Sequence, residues 1–391
     1  MISSWLFWIP AAAIAMQPPG ANTPAAAHFQ QGVAHERAGR LAEARAEYES
    51  ALGLDAGRAD ARANLGAVLL RMGMAAPAVD QFEKVLALRP DLLPVRFFLG
   101  LAYFQSDRFA PARAELQRVL AAQPGDARAL HLDALCLLKL DRLEEGARAL
   151  ERVVQTAPGN TAAVLTLATT WVSLGETDKA QAMIEGPLAG HPPEHASLVR
   201  GMLFNVRGKY REAESALRQA AAANPKLPTL HNQLGYTLML LGDYAAAVRE
   251  FETELSLSPR DFNASANLGW IHAQEREFED AAPFLAEALA QKPDNAGILY
   301  LMGQAWLAKG EPAKAAAALE KSVTHQPGFR AAHVLLARAY ARLGRGGDAA
   351  REQGVITRLN AEEQARNLQS AASYGEAAAP APEFSGSGRK K

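Results

Sequence analysis

The chain is poor in cysteine and nearly balanced in charge. One of its 391 residues, Cys136, is a cysteine, which excludes an intramolecular disulfide framework and a cysteine metal cluster. The 41 basic and 42 acidic residues leave a formal net charge of −1, so the positive excess expected of a nucleic-acid binder or a polybasic membrane binder is missing. With 49% hydrophobic and 21% charged residues, the composition is that of a folded chain.

The apolar run at the amino terminus is short. Residues 5–16 form a stretch of about twelve apolar residues, too few to span a bilayer as a helix. Ala13-Ile14-Ala15 supplies the small residues that a signal peptidase requires, and a polar, proline-rich segment follows. We therefore expect a signal peptide at 1–15 and a linker at 16–24. Because no lysine or arginine precedes the run, a short uncleaved anchor and a cytosolic protein stay open as alternatives.

The rest of the chain is a repeat with a period of 34 residues. Residues 228–261 are typical of a helical hairpin: two apolar stripes at helical spacing are separated by Gly242-Asp243 and ended by Pro259. Ten such hairpins follow one another at intervals of 34 residues, with one interval of 33. The small residues that mark the second helices are Ala44, Ala78, Ala112, Gly146, Ala180, Ala213, Ala247, Ala281, Ala315 and Ala349. One hairpin cannot bury its own apolar faces, so the hairpins must stack.

The repeat resembles the tetratricopeptide repeat family. That family has Leu-Gly in the first helix, Ala and an aromatic residue in the second, and a final Pro, which Leu234-Gly235, Ala247, Phe251 and Pro259 match. The resemblance covers about residues 25–363 and implies an all-α, right-handed α-solenoid of about ten helix-turn-helix repeats. The family's early Trp is absent, and residues such as His28, Arg62 and Ser197 stand in its place, so we expect looser packing at one site per repeat.

Three local features of the repeat array carry expectations. Glycines at the eighth position, such as Gly66, should let the two helices of a hairpin approach closely. Gly186-Pro187 falls inside what should be the second helix of repeat five, so that helix should be shortened or kinked. After the tenth repeat we expect a capping helix at 364–374 and a disordered tail at 375–391.

Candidates for catalytic or metal chemistry fail on their context. His191, Glu194 and His195 match the spacing of a zinc-peptidase motif, but the two prolines between the histidines forbid the continuous helix that this motif needs. His35 and His272 occupy a core position that is aromatic in sister repeats. No inserted block between 25 and 363 is large enough for an active site. We therefore expect no enzyme activity, no cofactor and no metal.

The family resemblance implies a different use of the chain, which is the binding of a peptide or partner protein along the concave face formed by the first helices. Carried over by position, the groove residues are Phe97, Leu101, Phe104, His131, Leu135, Leu138, Leu165, Met202, Asn205, Asn232, Tyr236, Met239, Asn263, Trp270, Tyr300 and Gln304. Many of them are apolar or aromatic, as is common at protein interfaces. The alternative is that some of these residues are buried against neighbouring first helices. Some members of the family bind through a carboxylate clamp of basic residues or through a ladder of asparagines. Neither is evident here, because the basic residues and the asparagines are scattered over the groove positions.

The sequence thus favours a non-catalytic scaffold that binds a partner protein or peptide. The alternatives are a self-assembling structural module and an accessory subunit of an envelope assembly complex. We expect no nucleic acid, no integral membrane span and possible self-association. The protein would be exported (periplasmic or extracellular) if the signal is cleaved, and otherwise cytoplasmic. The bias toward Ala, Arg and Gly suggests a GC-rich bacterial genome.

Overall fold

The computed structural model describes the backbone of residues 23–377 and the side chains as far as 366. In this part of the chain every regular element is a helix. The helices form two compact units, which meet in sequence between Leu230 and His231. The expected signal peptide and nearly all of the linker lie outside the described residues, as does the tail from 378 onward.

The first unit consists of six successive helical hairpins. Its helices are α1 (Pro24–Arg37), α2 (Leu41–Leu54), α3 (Ala59–Arg71), α4 (Ala75–Leu88), α5 (Leu93–Gln105), α6 (Phe109–Ala122), α7 (Ala127–Lys139), α8 (Leu143–Thr156), α9 (Thr161–Ser173), α10 (Thr177–Glu185), a 3-10 helix (Pro187–Gly190), α11 (Pro193–Val206) and α12 (Tyr210–Ala223). Odd-numbered helices are the first helices of the hairpins. Each packs on its own partner and, from α3 onward, on the second helix of the preceding hairpin, and α3, α5 and α7 also contact one another in series.

The second unit continues the pattern with four hairpins. Its helices are α13 (Leu230–Leu240), α14 (Tyr244–Leu257), α15 (Phe262–Gln274), α16 (Phe278–Gln291), α17 (Ala296–Ala308), α18 (Pro312–His325), α19 (Arg330–Arg342) and α20 (Gly346–Ala377). The first helices α15, α17 and α19 contact one another in series. The predicted all-α solenoid of ten helical hairpins is confirmed.

Several first helices begin with a side-chain cap. The Thr23 hydroxyl accepts a hydrogen bond from the backbone N–H of Ala26 at 3.2 Å, and Pro24 is the first helical residue, as the sequence predicts. Four further first helices are capped from one repeat position. There an Asp or Asn side-chain oxygen accepts a hydrogen bond from the backbone N–H three residues later. These residues are Asp126, Asn160, Asp261 and Asn295.

The turn between the two helices of each hairpin uses one residue in the left-handed region. Seven of the ten turn residues are glycines, namely Gly39, Gly73, Gly175, Gly208, Gly242, Gly310 and Gly344, with φ between 71° and 82°. The other three are Asp107 (φ 58°), Asp141 (φ 60°) and Arg276 (φ 64°). Glycine adopts this conformation without a steric penalty and Asp tolerates it, whereas it is unfavourable for Arg.

Glycine in the first helix makes room for a large side chain of the second. A methyl group built on Gly66 would lie 2.7 Å from Cε1 of Phe82, and one on Gly235 would lie 2.8 Å from Cε1 of Phe251. The expected close approach is therefore confirmed, and the neighbour that uses the space is mainly a side chain. The large residues at the sixteenth position after the glycine are all fully buried: Tyr48, Phe82, Leu116, Leu217, Phe251, Leu285 and Leu319.

Changing Gly66 to Ala should lower the free energy of unfolding by about 1–3 kcal/mol, since the rigid ring of Phe82 cannot withdraw from the new methyl group. The matched control is Gly354→Ala in α20, where nothing lies within 4 Å of the added carbon. That change should stabilise the helix by about 1 kcal/mol. Urea unfolding followed by far-UV circular dichroism checks both, and equal effects of the two variants would contradict the packing argument.

The irregular place in the array is the second helix of repeat five. Helix α10 has nine residues and ends at Glu185, and the chain continues as a 3-10 helix from Pro187. The predicted shortening is confirmed, because Pro187 cannot donate the next helical hydrogen bond. His191 lies before α11 and His195 lies within it, so the two histidines share no helix. The His191 ring instead bonds to the Thr161 hydroxyl, with Nδ1 at 2.8 Å from Oγ1.

Helix α20 has 32 residues and runs without a break through 364–374. The expected capping segment is therefore continuous with the second helix of repeat ten, and the first three residues of the expected tail, 375–377, are still helical. Among the residues that the structure describes, no helix combines the length and the apolar character needed to cross a membrane.

Candidate functional site

In five of the ten hairpins, the position of the missing Trp holds a polar residue that bonds to the second helix of the same hairpin. His28 Nδ1 lies 2.7 Å from Glu47 Oε2, and Arg96 Nη1 lies 2.6 Å from Glu115 Oε2. The same spacing of 19 residues joins three further pairs: Arg62 with Gln81, His231 with Glu250, and His333 with Glu352. Sequence reasoning expected looser packing here. The structure shows partly buried hydrogen bonds instead. The sequence feature that could have indicated them is the recurrence of paired polar residues at a spacing of 19.

A buried polar network links the first two repeats. The Tyr48 hydroxyl donates to Glu36 at 2.8 Å and accepts from Asn64 at 3.3 Å, and Arg71 lies 3.4 Å from the same carboxylate. Burial raises the pKa of Glu36 above its usual range, and the Tyr48 hydrogen bond and the Arg71 charge partly offset that rise. Every group has a partner inside the fold, which indicates a structural role for this network.

Several aromatic residues near the carboxyl ends of the first helices are covered by cationic side chains. Four rings each have a guanidinium or ammonium group within 5 Å of the centroid, and these pairs are Tyr103 with Arg108, Trp171 with Lys179, Trp306 with Lys314, and Tyr340 with Arg345. Such contacts stabilise the rings that they cover.

His35 and His272 occupy the same repeat position as these aromatic residues and were expected to replace them in the core. Both are half-buried. His35 accepts from Arg40 at 2.9 Å, whereas His272 bonds to Glu277 at 2.8 Å and stacks on Phe284 with 5.8 Å between centroids. Asp280 approaches the His272 and Glu277 ligand atoms to within 4.8 Å. Both carboxylates are exposed to solvent, where acidic groups commonly gather without an ion.

Cys136 is fully buried in the core of the first unit. Burial raises the pKa of its thiol to about 12, so the thiolate form is suppressed at neutral pH. This agrees with a structural role for the residue.

Most of the predicted groove residues of the first unit are buried within that unit. Phe97, Leu101 and Phe104 are part of the hydrophobic core, at 4%, 1% and 8% exposure. His131 is buried as well, which lowers its pKa to about 4 and keeps the ring neutral at physiological pH. Met202 is also buried. The half-buried remainder comprises Leu135, Leu138, Leu165 and Asn205. In the free protein this face therefore offers a partner little of the aromatic surface that the sequence suggested.

The second unit presents more of its predicted groove to solvent. Tyr236 is 41% exposed on α13, and Asn263 is exposed on α15. Four more residues of the set are half-buried, namely Met239, Trp270, Tyr300 and Gln304. Asn232 is buried, and its amide donates to Asp261 at 3.3 Å. Leu240, which the sequence reasoning missed, is 36% exposed one turn after Tyr236. We call the residues Tyr236, Met239, Leu240 and Trp270 the apolar surface of the second unit.

A cavity of about 410 Å³ opens beside α15, α17 and α19 of the second unit. We call it the arginine pocket, and its lining residues are Ala273, Gln274, Arg276, Phe278, Gln304, Leu307, Ala308, Leu335, Arg338 and Arg342. The sequence reasoning regarded Arg338 and Arg342 as scattered. The fold places them around one cavity with Arg276, which comes from the turn of repeat eight. Of the lining residues, Gln304 alone is in the groove set given above, and Arg276 was missed because a turn residue follows no first-helix pattern.

Comparison with known proteins agrees with this architecture. The bovine BBSome complex member BBS4 is 26% identical over 152 residues, which is 39% of this chain and 29% of BBS4. The Lipoprotein NlpI homolog of Haemophilus influenzae is 29% identical over 126 residues, or 31% of this chain and 39% of that protein. The chain thus spans about three tenths of the length of the BBS4 relative.

A solved structure, a human IFIT1 dimer with m7Gppp-AAAA, shares the fold. Its TM-score is 0.51 and its sequence identity is 16%, over 87% of this chain and 91% of that one. Two family models described as tetratricopeptide repeat match the sequence directly. One matches residues 11–61, 29–92, 232–296 and 300–354, and the other matches 69–136, 137–200 and 272–322. The chain therefore belongs to the tetratricopeptide repeat family.

Proposed function

We propose that this protein is a non-catalytic scaffold that binds a segment of a partner protein on the first helices of its second unit. The observation that carries the proposal is the apolar surface of that unit. Tyr236 and Leu240 are 41% and 36% exposed one helical turn apart, and Met239 and Trp270 are half-buried on the same set of first helices. Exposed aromatic and aliphatic groups of this kind commonly mark interaction surfaces.

Energetics favours this surface over the groove residues of the first unit. Phe97, Leu101 and Phe104 have already buried their apolar area in the core, so they have little left to gain from a partner. Tyr236 and Leu240 keep a large part of theirs in water, and each residue buried by a partner would contribute roughly 1–3 kcal/mol.

The test compares protein capture by two triple variants. Changing Tyr236, Met239 and Trp270 together to Ser should reduce retention of the partner from an extract of the source cell by roughly tenfold or more, as for the loss of interface anchors. The matched control changes Leu54, Leu88 and Val206 to Ser. These three are 58%, 59% and 52% exposed at the carboxyl ends of α2, α4 and α11. The control should retain the partner like the unchanged protein.

Three other results of this experiment bear on the proposal. Loss of helical signal in the first triple variant would show that these side chains hold the unit together, and in that case the single variant Tyr236→Ser decides, since Tyr236 is the most exposed of the three. Equal retention by all variants would exclude the surface. If light scattering shows a homo-oligomer that the first triple variant dissociates, the surface serves self-assembly.

We also propose that the protein is exported through its amino-terminal apolar segment. Determining the mass of the mature protein tests this, because cleavage of the segment removes it from the amino terminus.

A further inference from the structure

We infer that the arginine pocket binds carboxylate side chains of an acidic peptide segment. The inference rests on the proposed function, because it names the chemistry of one part of the partner. The pocket lies wholly within the second unit, and its volume of about 410 Å³ is in the range of ligand sites.

The charges around the pocket have one sign. Arg276, Arg338 and Arg342 line it together with the amides of Gln274 and Gln304, and no acidic residue is among the lining residues. A guanidinium group offers two parallel N–H donors that match the two oxygens of a carboxylate. Three such groups around one cavity create a field that attracts an anion and repels a cation.

None of the three arginines of the pocket forms an ion pair within residues 23–366. Nη1 of Arg342 donates to the backbone carbonyl of Leu307 at 2.7 Å, which fixes this side chain at the pocket wall and leaves its other donors available. The guanidinium groups of Arg276 and Arg338 form neither a hydrogen bond nor an ion pair within residues 23–366. Elsewhere in the fold many arginines are paired, for example Arg58 with Asp60 and Arg96 with Glu115. Pairing with an incoming carboxylate would therefore break no ion pair at Arg276 or Arg338.

The backbone of Arg276 has a conformation that no other residue with a long side chain adopts at this turn position. Its φ is 64°, at the turn position where the nine other hairpins have seven glycines and two aspartates. The left-handed conformation is unfavourable for Arg, and glycine would fill the position without strain. Strained residues persist where their side chains are needed, and this side chain lines the pocket.

The remaining lining residues favour a peptide over a simple anion. Phe278, Leu307 and Leu335 add apolar wall to the pocket, against which the methylene groups and neighbouring residues of a peptide can pack. Inorganic phosphate would gain nothing from this wall. A nucleic acid would need a wider basic surface than a chain with a net charge of −1 supplies.

The experiment uses hexaglutamate, blocked at both ends and labelled with a fluorophore, as the probe for the full-length protein. Fluorescence anisotropy should show binding of hexaglutamate but not of hexaglutamine, and the affinity should fall as salt is raised. Arg276→Gly and Arg338→Gln should each weaken binding by about tenfold, which is the usual scale for one charge-assisted contact. Arg276→Gly should at the same time leave the melting temperature unchanged or raise it, because glycine relieves the turn.

Two control variants separate the pocket from general effects. Asp141→Gly makes the same kind of change at the left-handed turn residue of another hairpin, away from the pocket. Arg249→Gln removes one exposed positive charge from α14, also away from the pocket. Both should bind hexaglutamate as tightly as the unchanged protein does.

The inference is overturned if hexaglutamate does not bind up to about 1 mM, a concentration that corresponds to about −4 kcal/mol. It is also overturned if Arg276→Gly and Arg338→Gln bind as the controls do. Displacement of the probe by inorganic phosphate at equal concentration would assign the pocket to small anions instead. Failure here and failure of the proposed function are distinguishable, since partner capture depends on Tyr236, Met239 and Trp270, which do not line the pocket.

Discussion

Replacing Phe82 with Ala should lower the free energy of unfolding by about 3–5 kcal/mol, the range for truncating a buried aromatic residue. Phe82 is fully buried, its ring stacks on Phe98 of the next repeat with 6.1 Å between centroids, and it fills the space that Gly66 leaves free. The truncation therefore opens a cavity at two interfaces, one within the hairpin and one between hairpins. Neither can collapse, because the helix backbones are already held by their other contacts.

The measurement must allow for partial unfolding, since arrays of repeats do not always unfold in one step. Hydrogen exchange of the amides of α3–α6 should accelerate together with the loss of stability in urea. Leu88→Ala, at the exposed end of the same helix, is the control and should change stability by less than about 0.5 kcal/mol. Phe251→Ala repeats the experiment in the second unit, where the accelerated amides should be those of α13–α16. A loss near that of Leu88→Ala would contradict the packing argument.

Replacing Arg58 with Met should cost about 3–5 kcal/mol, because it leaves a buried carboxylate without its charge partner. The side chains of Arg58 and Asp60 are 1% and 5% exposed, and Nη2 lies 2.7 Å from Oδ2. Nε of Arg58 also donates to Oδ1 at 3.1 Å, and the guanidinium group lies 4.9 Å from the ring centroid of Phe29. Removal of the arginine therefore loses a bidentate pair and a cation–π contact in one step.

A double-mutant cycle separates the lost attraction from the cost of the stranded charge. The variant with both Arg58→Met and Asp60→Leu should be more stable than Arg58→Met alone, because no unpaired charge is then buried. Arg218→Met is the surface control, since this residue is 54% exposed and pairs with Glu214 on α12. Its loss should be about 0.3–0.5 kcal/mol. If thermal unfolding shows the same loss for Arg58→Met as for Arg218→Met, the buried pair does not stabilise the fold.

The architecture could be predicted from the sequence because its determinants are local and repeated ten times. The small residue of each first helix, the large apolar residue sixteen positions later in nine of the hairpins and the closing proline of eight report on contacts inside one hairpin, so their spacing predicts the fold. The shortened α10 followed from Pro187 in the same way. Expectations for residues 1–15 have no such repeated pattern behind them, and they stay predictions.

The binding surface was harder to predict because exposure depends on how neighbouring first helices pack. Position in the repeat does not distinguish Leu101, which is in the core, from Tyr236, which is 41% exposed. The arginine pocket was missed for a related reason. It combines a turn residue, Arg276, with helix residues two repeats away, and only the fold brings these together.

The pairing of a glycine with a bulky residue inside one hairpin has a consequence for how such a chain can grow. Because Gly66 and Phe82, or Gly303 and Leu319, complement each other within 34 residues, a duplicated hairpin carries both halves of the fit. A copy can therefore be inserted next to its parent without a compensating change elsewhere, whereas the glycine or the ring transplanted alone would leave a clash or a void. The hairpin is thus the natural unit of gene duplication and of engineered exchange in this protein.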